Sequence, residues 1–216
     1  MISFLISAIK IIFLLGFLIG IHETGHFLIA KLCKVRVNEF AIGFGPVIWK
    51  KQGKETKYEL RLIPLGGFVN MEGEAEQSEK EGSFTKASIP RRIAIVVAGA
   101  LVNIIFAIIV YFILAMTVRG NLTNAVVGNR VLDADNFENR LYFASYNTKE
   151  FMLSIAESVK QLFTGKVSSA ELVGPVGISE VVAKTNGFRE FIYILSAISI
   201  SLGVTNLLPF PPLDGG

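Results

Sequence analysis

Three long apolar stretches constrain the fold of this chain more than any other feature of its sequence. They cover residues 2–30, 93–118 and 191–212, and each reaches the roughly 20 residues that a helix needs to cross a hydrocarbon core. Charged residues make up only 18% of the sequence, whereas about 25% is typical of soluble domains. The sequence therefore predicts an α-helical membrane protein with three transmembrane segments. A soluble protein with three buried core helices is the less favoured alternative.

The rest of the composition excludes several other classes of protein. The net charge of +3 is too small to indicate binding to nucleic acid. The single cysteine, Cys33, cannot form an intrachain disulfide, and we expect a buried thiol rather than a metal ligand. The first stretch is not expected to be a cleaved signal peptide, because no basic region precedes it and no small-residue cleavage site follows it.

Basic residues are distributed unevenly between the two connecting segments. Residues 31–92 contain twelve Lys and Arg residues, and residues 119–187 contain seven. The positive-inside rule therefore places 31–92 in the cytoplasm, and the N-terminus and 119–187 outside. We expect a multi-pass protein of the inner (plasma) membrane. This topology brings residues 22–26 and 206–216 to a similar depth, toward the cytoplasmic side.

Both histidines of the chain lie in one H-E-x-x-H pattern within the first apolar stretch. His22 and His26 would share one face of a helix, so both imidazoles can bind one metal ion. Glu23 can then act as a general base toward a water molecule, and zinc suits such a hydrolytic centre. An accidental pattern is less favoured, because a charged side chain at the centre of a membrane costs about 2.5–3.5 kcal/mol and usually marks function.

Asp214 is the candidate for a third metal ligand. It follows three prolines that cannot continue a regular helix, and two glycines after it permit a tight turn. Irregular backbone at membrane depth is tolerated only where it is buried in protein or lines a cavity, so this carboxylate needs a partner. Zinc is the available partner. A solvated aspartate at the membrane edge is the alternative.

Six short motifs follow one another along the chain: I-H-E-T-G-H-F at 21–27, F-A-I-G-F-G-P at 40–46, I-P-L-G-G-F-V at 63–69, A-G-A-L-V-N at 98–103, G-P-V-G-I at 174–178 and N-L-L-P-F-P-P-L-D-G-G at 206–216. In this order they resemble the site-2 protease family of intramembrane zinc metalloproteases, in particular its bacterial RseP-like branch. The resemblance implies that His22, His26 and Asp214 bind Zn²⁺ and that Glu23 is the general base. It also implies that Asn206 holds the substrate backbone or the developing oxyanion.

The resemblance further implies a substrate and a reaction. Members of the family hydrolyse peptide bonds in or beside the transmembrane segments of single-pass membrane proteins, within the lipid bilayer. Anti-sigma-factor-like regulators and signal-peptide remnants are the substrate classes to expect. The main alternative is a catalytically inactive membrane scaffold, or a substrate-binding regulator, with the same fold. A metal transporter is less favoured, because the second and third stretches supply few polar groups.

Two segments of residues 31–92, at 35–49 and 58–71, have the composition of β-strands, with a turn at Gln52-Gly53-Lys54. We expect a small membrane-associated β-hairpin beside the first apolar stretch, and its edge strand would pair with an unwound substrate. An ordinary cytoplasmic hairpin is the alternative. The candidate substrate-binding residues of the hairpin are Gly43, Phe44, Gly45, Gly66 and Gly67, and the glycines among them permit close approach of another backbone.

The resemblance is incomplete at two places. RseP-like proteases carry PDZ domains between the second and third matched membrane segments, and the segment before a predicted amphipathic helix at 150–164 is too short for one. Relatives also continue past the Asp-Gly motif into another membrane helix, so both a native end and a truncated sequence are compatible with the resemblance. We predict one membrane-embedded protease domain over residues 1–216, and no particular oligomeric state. Asn103 either bonds the active-site backbone or only joins helices.

Overall fold

The computed structural model describes residues 2–76, 78–118, 120–164, 175–208 and 214. Within them the chain forms five α-helices and two small antiparallel sheets. In chain order the elements are α1 (Ile2–Leu32), β1 (Val37–Gln52), β2 (Lys57–Met71), α2 (Ile89–Met116), β3 (Val126–Val127), β4 (Arg130–Val131), α3 (Phe137–Phe163), α4 (Pro175–Ala183) and α5 (Phe188–Asn206). The prolines and glycines that flank Asp214, and the first residue of the motif at 174–178, lie outside the described residues.

Three of these helices are long and apolar enough to cross a membrane: Leu5–Leu32, Ile89–Met116 and Phe188–Asn206, with mean hydropathies of 2.3, 3.0 and 1.4. The second begins four residues before the predicted segment, because proline is tolerated in the first turn of a helix and Pro90 stands there. The third ends at Asn206, short of the predicted limit at Pro212. Residues 209–212 lie outside the described residues.

The chain divides into two compact units. The first contains Met1–Ile104 and Leu202–Gly216, and the second contains Ile105–Ser201, so that α2 and α5 each contribute to both. The prediction of a single protease domain stays a prediction. The first unit holds all the candidate site residues named from the sequence.

The sheet of the first unit contains the predicted strands and turn, with Gly53 N–H donating to Thr56 O at 2.9 Å. The predicted hairpin is therefore present, and both of its strands bend. Residues 39–42 of β1 pair with 57–60 on one side and with 67–70 on the other, while 47–52 pair with 57–61. The bends occur at glycines with positive φ, a conformation that side chains disfavour. Two bent strands thus form a curled sheet of four segments, with 67–71 at one edge.

The bend of this sheet lies against the middle of α1. A Cβ on Gly16 would overlap the carbonyl oxygen of Pro64 and lie 3.2 Å from the Cβ of Pro64. Because a helix rises 1.5 Å per residue, Gly16 is about 24 Å along α1 from the helix end at Leu32. The side chains exposed around the bend are mostly large and apolar: Phe44, Val47, Ile48, Leu62, Ile63 and Leu65. The structure therefore places the sheet beside the first apolar segment, as expected, and its insertion into lipid stays a prediction.

A charged cluster occupies residues 57–61, one of the two inner segments of the sheet. The Glu59 side chain is 2% exposed and accepts hydrogen bonds from Lys57 and from Arg61, the latter at 2.7 Å. These bonds lower the pKa of Glu59 to about 2, so it remains ionised at neutral pH. Arg61 also reaches Glu39 at 3.1 Å, on a neighbouring segment of the sheet. The cluster therefore supplies partners for a carboxylate that the sheet buries.

The second unit contains the amphipathic helix, α3, which begins at Phe137 and not at 150 as the sequence analysis predicted. The Asn136 side chain accepts a hydrogen bond from Asn139 N–H at 2.9 Å and caps the helix start. This capping signal, with Glu138 in the first turn, is already present in the sequence. Leu132 and Val127 of the β3–β4 hairpin are buried with Tyr142 and Tyr146 of α3 packed against them.

We predict that Gly16→Ala destabilises the first unit by about 1–3 kcal/mol, the usual cost of overpacking, because the new methyl group would overlap backbone atoms of Pro64. Thermal unfolding of the purified protein in detergent measures the effect. Gly20→Ala is the matched control, since its Cβ would lie 3.7 Å from Ile42 Cδ1, an ordinary contact. Equal melting temperatures for the two variants would contradict the packing described here.

Candidate metal centre

Three side chains that can bind a metal meet in the first unit. His22 and His26 lie one turn apart on α1, are 6% and 9% exposed, and bring their Nε2 atoms within 3.2 Å. Asp214 Oδ2 lies 2.7 Å from His22 Nε2 and 3.4 Å from His26 Nε2. The structure thus brings together the three ligand candidates named from the sequence, although Asp214 is 192 residues from His22.

The spacing of the three atoms fits a zinc ion. A tetrahedral ion with bonds of about 2.0–2.2 Å holds its ligands about 3.3 Å apart. The distances from His26 Nε2 to its two neighbours, 3.2 and 3.4 Å, match this value. The pair of His22 Nε2 and Asp214 Oδ2, at 2.7 Å, has a hydrogen-bond distance and would open by about 0.6 Å around an ion.

The orientation of His26 also suits a metal. Its Nδ1–H donates to the carbonyl oxygen of Ile95, on α2, at 2.8 Å. A neutral imidazole carries one N–H, so Nε2 presents its lone pair to His22 and Asp214. A hydrogen bond from the other ring nitrogen is the usual support for a metal-binding histidine. Ile95 had not been singled out from the sequence, where a backbone carbonyl leaves no signal.

Glycines allow α1 and α2 to meet at this centre. A Cβ on Gly25 of α1 would lie 2.7 Å from Ala98 O of α2, so the two backbones are in direct contact. A Cβ on Gly99 of α2 would overlap His26 Nε2 and lie 2.8 Å from His22 Nε2. Gly99 therefore leaves free the space beside both imidazoles that an ion would need. Its position in A-G-A-L-V-N was visible in the sequence, but its role was not.

Glu23 lies between the histidine pair and the edge of the sheet. A Cβ on Gly67 would lie 2.9 Å from Glu23 Cγ, so the glutamate packs against the edge segment 67–71. A cavity of about 280 Å³ opens beside it, and its described lining residues are Glu23, His26, Gly67, Phe68, Val69, Met71, Glu74, Ile95, Val96 and Asp214. The general base predicted from the sequence therefore faces a space that a peptide segment could enter.

Glu74 is a cavity residue that the sequence analysis did not identify. It follows β2, and its Oε2 accepts a hydrogen bond from Met71 N–H at 3.3 Å. Protein atoms around the Glu74 carboxyl exclude part of its water and raise its pKa. In the sequence it is one of several glutamates in an acidic loop, which left nothing to distinguish it.

The candidate substrate-binding residues divide into two groups. Gly67 packs against Glu23, and Asn206 Nδ2 lies 3.4 Å from His22 Nε2, so both are at the centre. Gly43, Phe44, Gly45 and Gly66 lie in the bends of the sheet and are not among the described residues that line the cavity. There Gly66 accommodates the Phe44 ring, which a Cβ would overlap, so these four residues shape the sheet.

Comparison with known proteins identifies the family. The family model described as Peptidase family M50 matches residues 10–216, which is nearly the whole chain. The chain belongs to this family, the site-2 proteases. The assignment agrees with the resemblance drawn from the six motifs.

Proteins similar to this chain come from several bacteria. A protein of Clostridium acetobutylicum assigned as a zinc metalloprotease is 31% identical, with 93% of this chain and 82% of the relative covered. A similarly assigned protein of Fusobacterium nucleatum is 29% identical over 99% of the chain and 86% of the relative. The regulator of sigma-E protease RseP of Escherichia coli is 42% identical over 52% of the chain and 26% of the relative. The family and these names support a metalloprotease that uses zinc.

The alignment with the Clostridium protein extends over 277 positions, although the chain has 216 residues. That relative therefore contains internal residues that have no counterpart here. The expectation that a domain of RseP-like proteases is missing here stays a prediction.

We predict that Gly99→Ala weakens zinc binding by roughly 10- to 100-fold, the range observed when groups around a metal site are disturbed, because the new methyl group would occupy the space beside both imidazoles. Competition with a chelator, followed by elemental analysis, measures the affinity. Gly187→Ala is the control, since a Cβ there would meet nothing within 4 Å. Unchanged zinc affinity in Gly99→Ala would rule out an ion at this position.

Asp214→Asn should also lower zinc retention under mild chelation, because it replaces an anionic ligand by a neutral amide. Asp135→Asn is the matched control, since Asp135 pairs with Arg140 at 2.7 Å in the second unit. If Asp214→Asn keeps as much zinc as wild type at every chelator concentration, Asp214 is not a ligand.

Proposed function

We propose that this chain is a zinc-dependent intramembrane endopeptidase that cleaves transmembrane segments of single-pass membrane proteins. One observation carries the proposal: Asp214 meets His22 and His26 beside Glu23. The two histidines and Glu23 lie on α1, a helix long and apolar enough to cross a membrane. Membership of the site-2 protease family supports the same reaction.

The residues of the centre can be assigned complementary roles in peptide hydrolysis. Zinc held by the two histidines and the aspartate would polarise the scissile carbonyl and activate water. Glu23 takes a proton from the attacking water and passes it to the leaving amine nitrogen as the C–N bond breaks. The Asn206 amide donates a hydrogen bond to the carbonyl oxygen as negative charge develops there. Its position 3.4 Å from His22 Nε2 is close enough for this role.

The edge segment 67–71 offers a way to present the substrate. A helical substrate already pairs its own backbone, so its scissile amide is accessible only after local unwinding. Segment 67–71 pairs with β1 on one side, and among the described residues no strand pairs with its other edge. That segment also lines the cavity beside Glu23. An unwound substrate that pairs with this edge would therefore pass next to the general base.

The proposed topology sets the depth of cleavage. The three apolar helices and the family indicate a multi-pass protein of the inner membrane, and the basic residues favour a cytoplasmic location for 31–92. His26 lies six residues before the end of α1 at Leu32, or about 9 Å along the helix axis. Cleavage would then occur within the membrane and near its cytoplasmic face. Anti-sigma-factor-like regulators and signal-peptide remnants are substrate classes that present such a segment.

The decisive experiment is Glu23→Gln in the chain reconstituted into vesicles with a single-pass substrate. We expect cleavage to fall by at least the 10²- to 10⁴-fold typical of a lost general base, with zinc content unchanged, because Glu23 is not a ligand. Glu76→Gln is the matched control, since Glu76 is exposed in the loop after β2 and does not line the cavity.

Two outcomes would contradict the proposal. Unchanged turnover in Glu23→Gln would remove Glu23 from its catalytic role. Capture of the substrate by the wild-type chain without any product, at full zinc occupancy, would instead support an inactive scaffold with the same fold.

A further inference from the structure

Asn103 is the polar side chain on the buried face of α2, whose other buried residues are Ile95, Ala98, Gly99, Ala100 and Ala107. Its side chain is 0% exposed. The amide nitrogen, as assigned, lies 3.4 Å from His22 Nδ1. This is the ring nitrogen opposite the one that faces Asp214 and His26. Asn103 is therefore positioned to form a hydrogen bond with the His22 ring nitrogen that faces away from the candidate ligand cluster.

The two histidines of the centre receive different support from the same helix. His26 Nδ1–H donates to the backbone carbonyl of Ile95, which can only accept a hydrogen bond, so its tautomer is fixed. His22 meets a side-chain amide, which carries both an acceptor oxygen and a donor nitrogen. The oxygen and nitrogen of an asparagine amide exchange places by a half-turn of the group. The hydrogen bond at His22 can therefore run in either direction.

We propose that Asn103 is a positioning residue that holds His22 in the tautomer needed for zinc binding, by accepting a hydrogen bond from Nδ1–H through its amide oxygen. A neutral His22 with its proton on Nε2 would donate to Asp214 and accept at Nδ1 from the amide nitrogen. With the proton on Nδ1, the amide oxygen accepts it and the Nε2 lone pair faces the ligand cluster. Zinc can bind only the second form, and the ring stays neutral in both.

A role limited to joining helices explains less of this geometry. A buried amide that only joins helices needs a hydrogen-bond partner of any kind. That role does not explain why the partner is His22 Nδ1, the ring nitrogen that faces away from the ligand cluster. Gly99, one turn before Asn103 on α2, leaves space beside both imidazoles. Ile95, one turn earlier again, supports His26. The same face of α2 thus contacts the centre at each of three successive turns.

The inference rests on the metal site of the proposed function, and its test does not require proteolysis. We would measure zinc affinity, by chelator competition, for wild type, Asn103→Asp and Asn103→Leu. Aspartate keeps an acceptor and leucine removes it at similar size. Ser196→Ala is the control for loss of a buried polar group, since Ser196 bonds Tyr193 O in its own helix at 2.7 Å. We expect leucine to weaken zinc binding by roughly 10- to 100-fold, and aspartate and the control to keep affinity near that of wild type.

A spectroscopic measurement separates positioning from packing. The chain contains two histidines, so ¹⁵N-histidine labelling yields signals from two imidazoles only. In the zinc-loaded protein we expect a hydrogen-bonded Nδ1–H for both rings in wild type and in Asn103→Asp. Asn103→Leu should lose the bonded signal of one ring and keep that of His26, which depends on Ile95.

The outcomes are distinguishable from failure of the proposed function. Wild type that binds zinc but cleaves no substrate would refute the protease and leave this inference standing. An unchanged zinc affinity and Nδ1–H signal in Asn103→Leu would refute the inference alone. Should the leucine variant fail to fold, Asn103→Asp still decides, because loss of the bonded Nδ1–H signal of His22 in a variant that keeps the acceptor would refute the inference.

Discussion

The close contact of α1 with α2 is the constraint on which the metal centre depends. Gly25 brings the backbone of α1 against Ala98 of α2, and Gly99 prevents a side chain from entering the space between the imidazoles. Only at this separation can the carbonyl of Ile95 reach His26 Nδ1 at 2.8 Å. In an apolar solvent helices gain little from burying apolar surface against each other, so small residues that permit such contact are a main source of specificity.

A second constraint acts on the bent sheet: its backbone N–H and C=O groups need hydrogen-bond partners beside an apolar helix. A plain two-stranded hairpin has two unpaired edges along its whole length, which is costly away from water. Because both strands bend, residues 39–42 and 57–60 gain partners on both sides, and unpaired edges remain at the outer segments. One of these, 67–71, lies against Glu23 through Gly67. One of the two edges that the sheet leaves unpaired is thus the one beside the centre.

Short motifs in the sequence were enough to name the candidate residues of the centre. The features that the sequence did not predict depend on long-range packing. His22, Glu23 and His26 lie within five residues of one helix, and Asp214 stood out as a carboxylate that follows prolines at the end of an apolar stretch. The double pairing of β1 could not be predicted, because a strand pattern records which residues are buried and not how many neighbours a strand has. Gly43, Phe44, Gly45 and Gly66 lie in the bends of these strands, and their contact with substrate stays a prediction.

A division of labour between helices follows from these contacts. α1 supplies the two histidines and Glu23, the proposed general base, whereas α2 supplies no candidate ligand among the described residues and contacts both histidines. Through Ile95 it fixes one tautomer, through Gly99 it leaves room, and through Asn103 it meets the rear of His22. A backbone carbonyl gives a constant orientation, whereas an amide can respond to the protonation of its neighbour. The two histidines therefore receive different support from α2: a carbonyl that can only accept at His26, and a side-chain amide at His22.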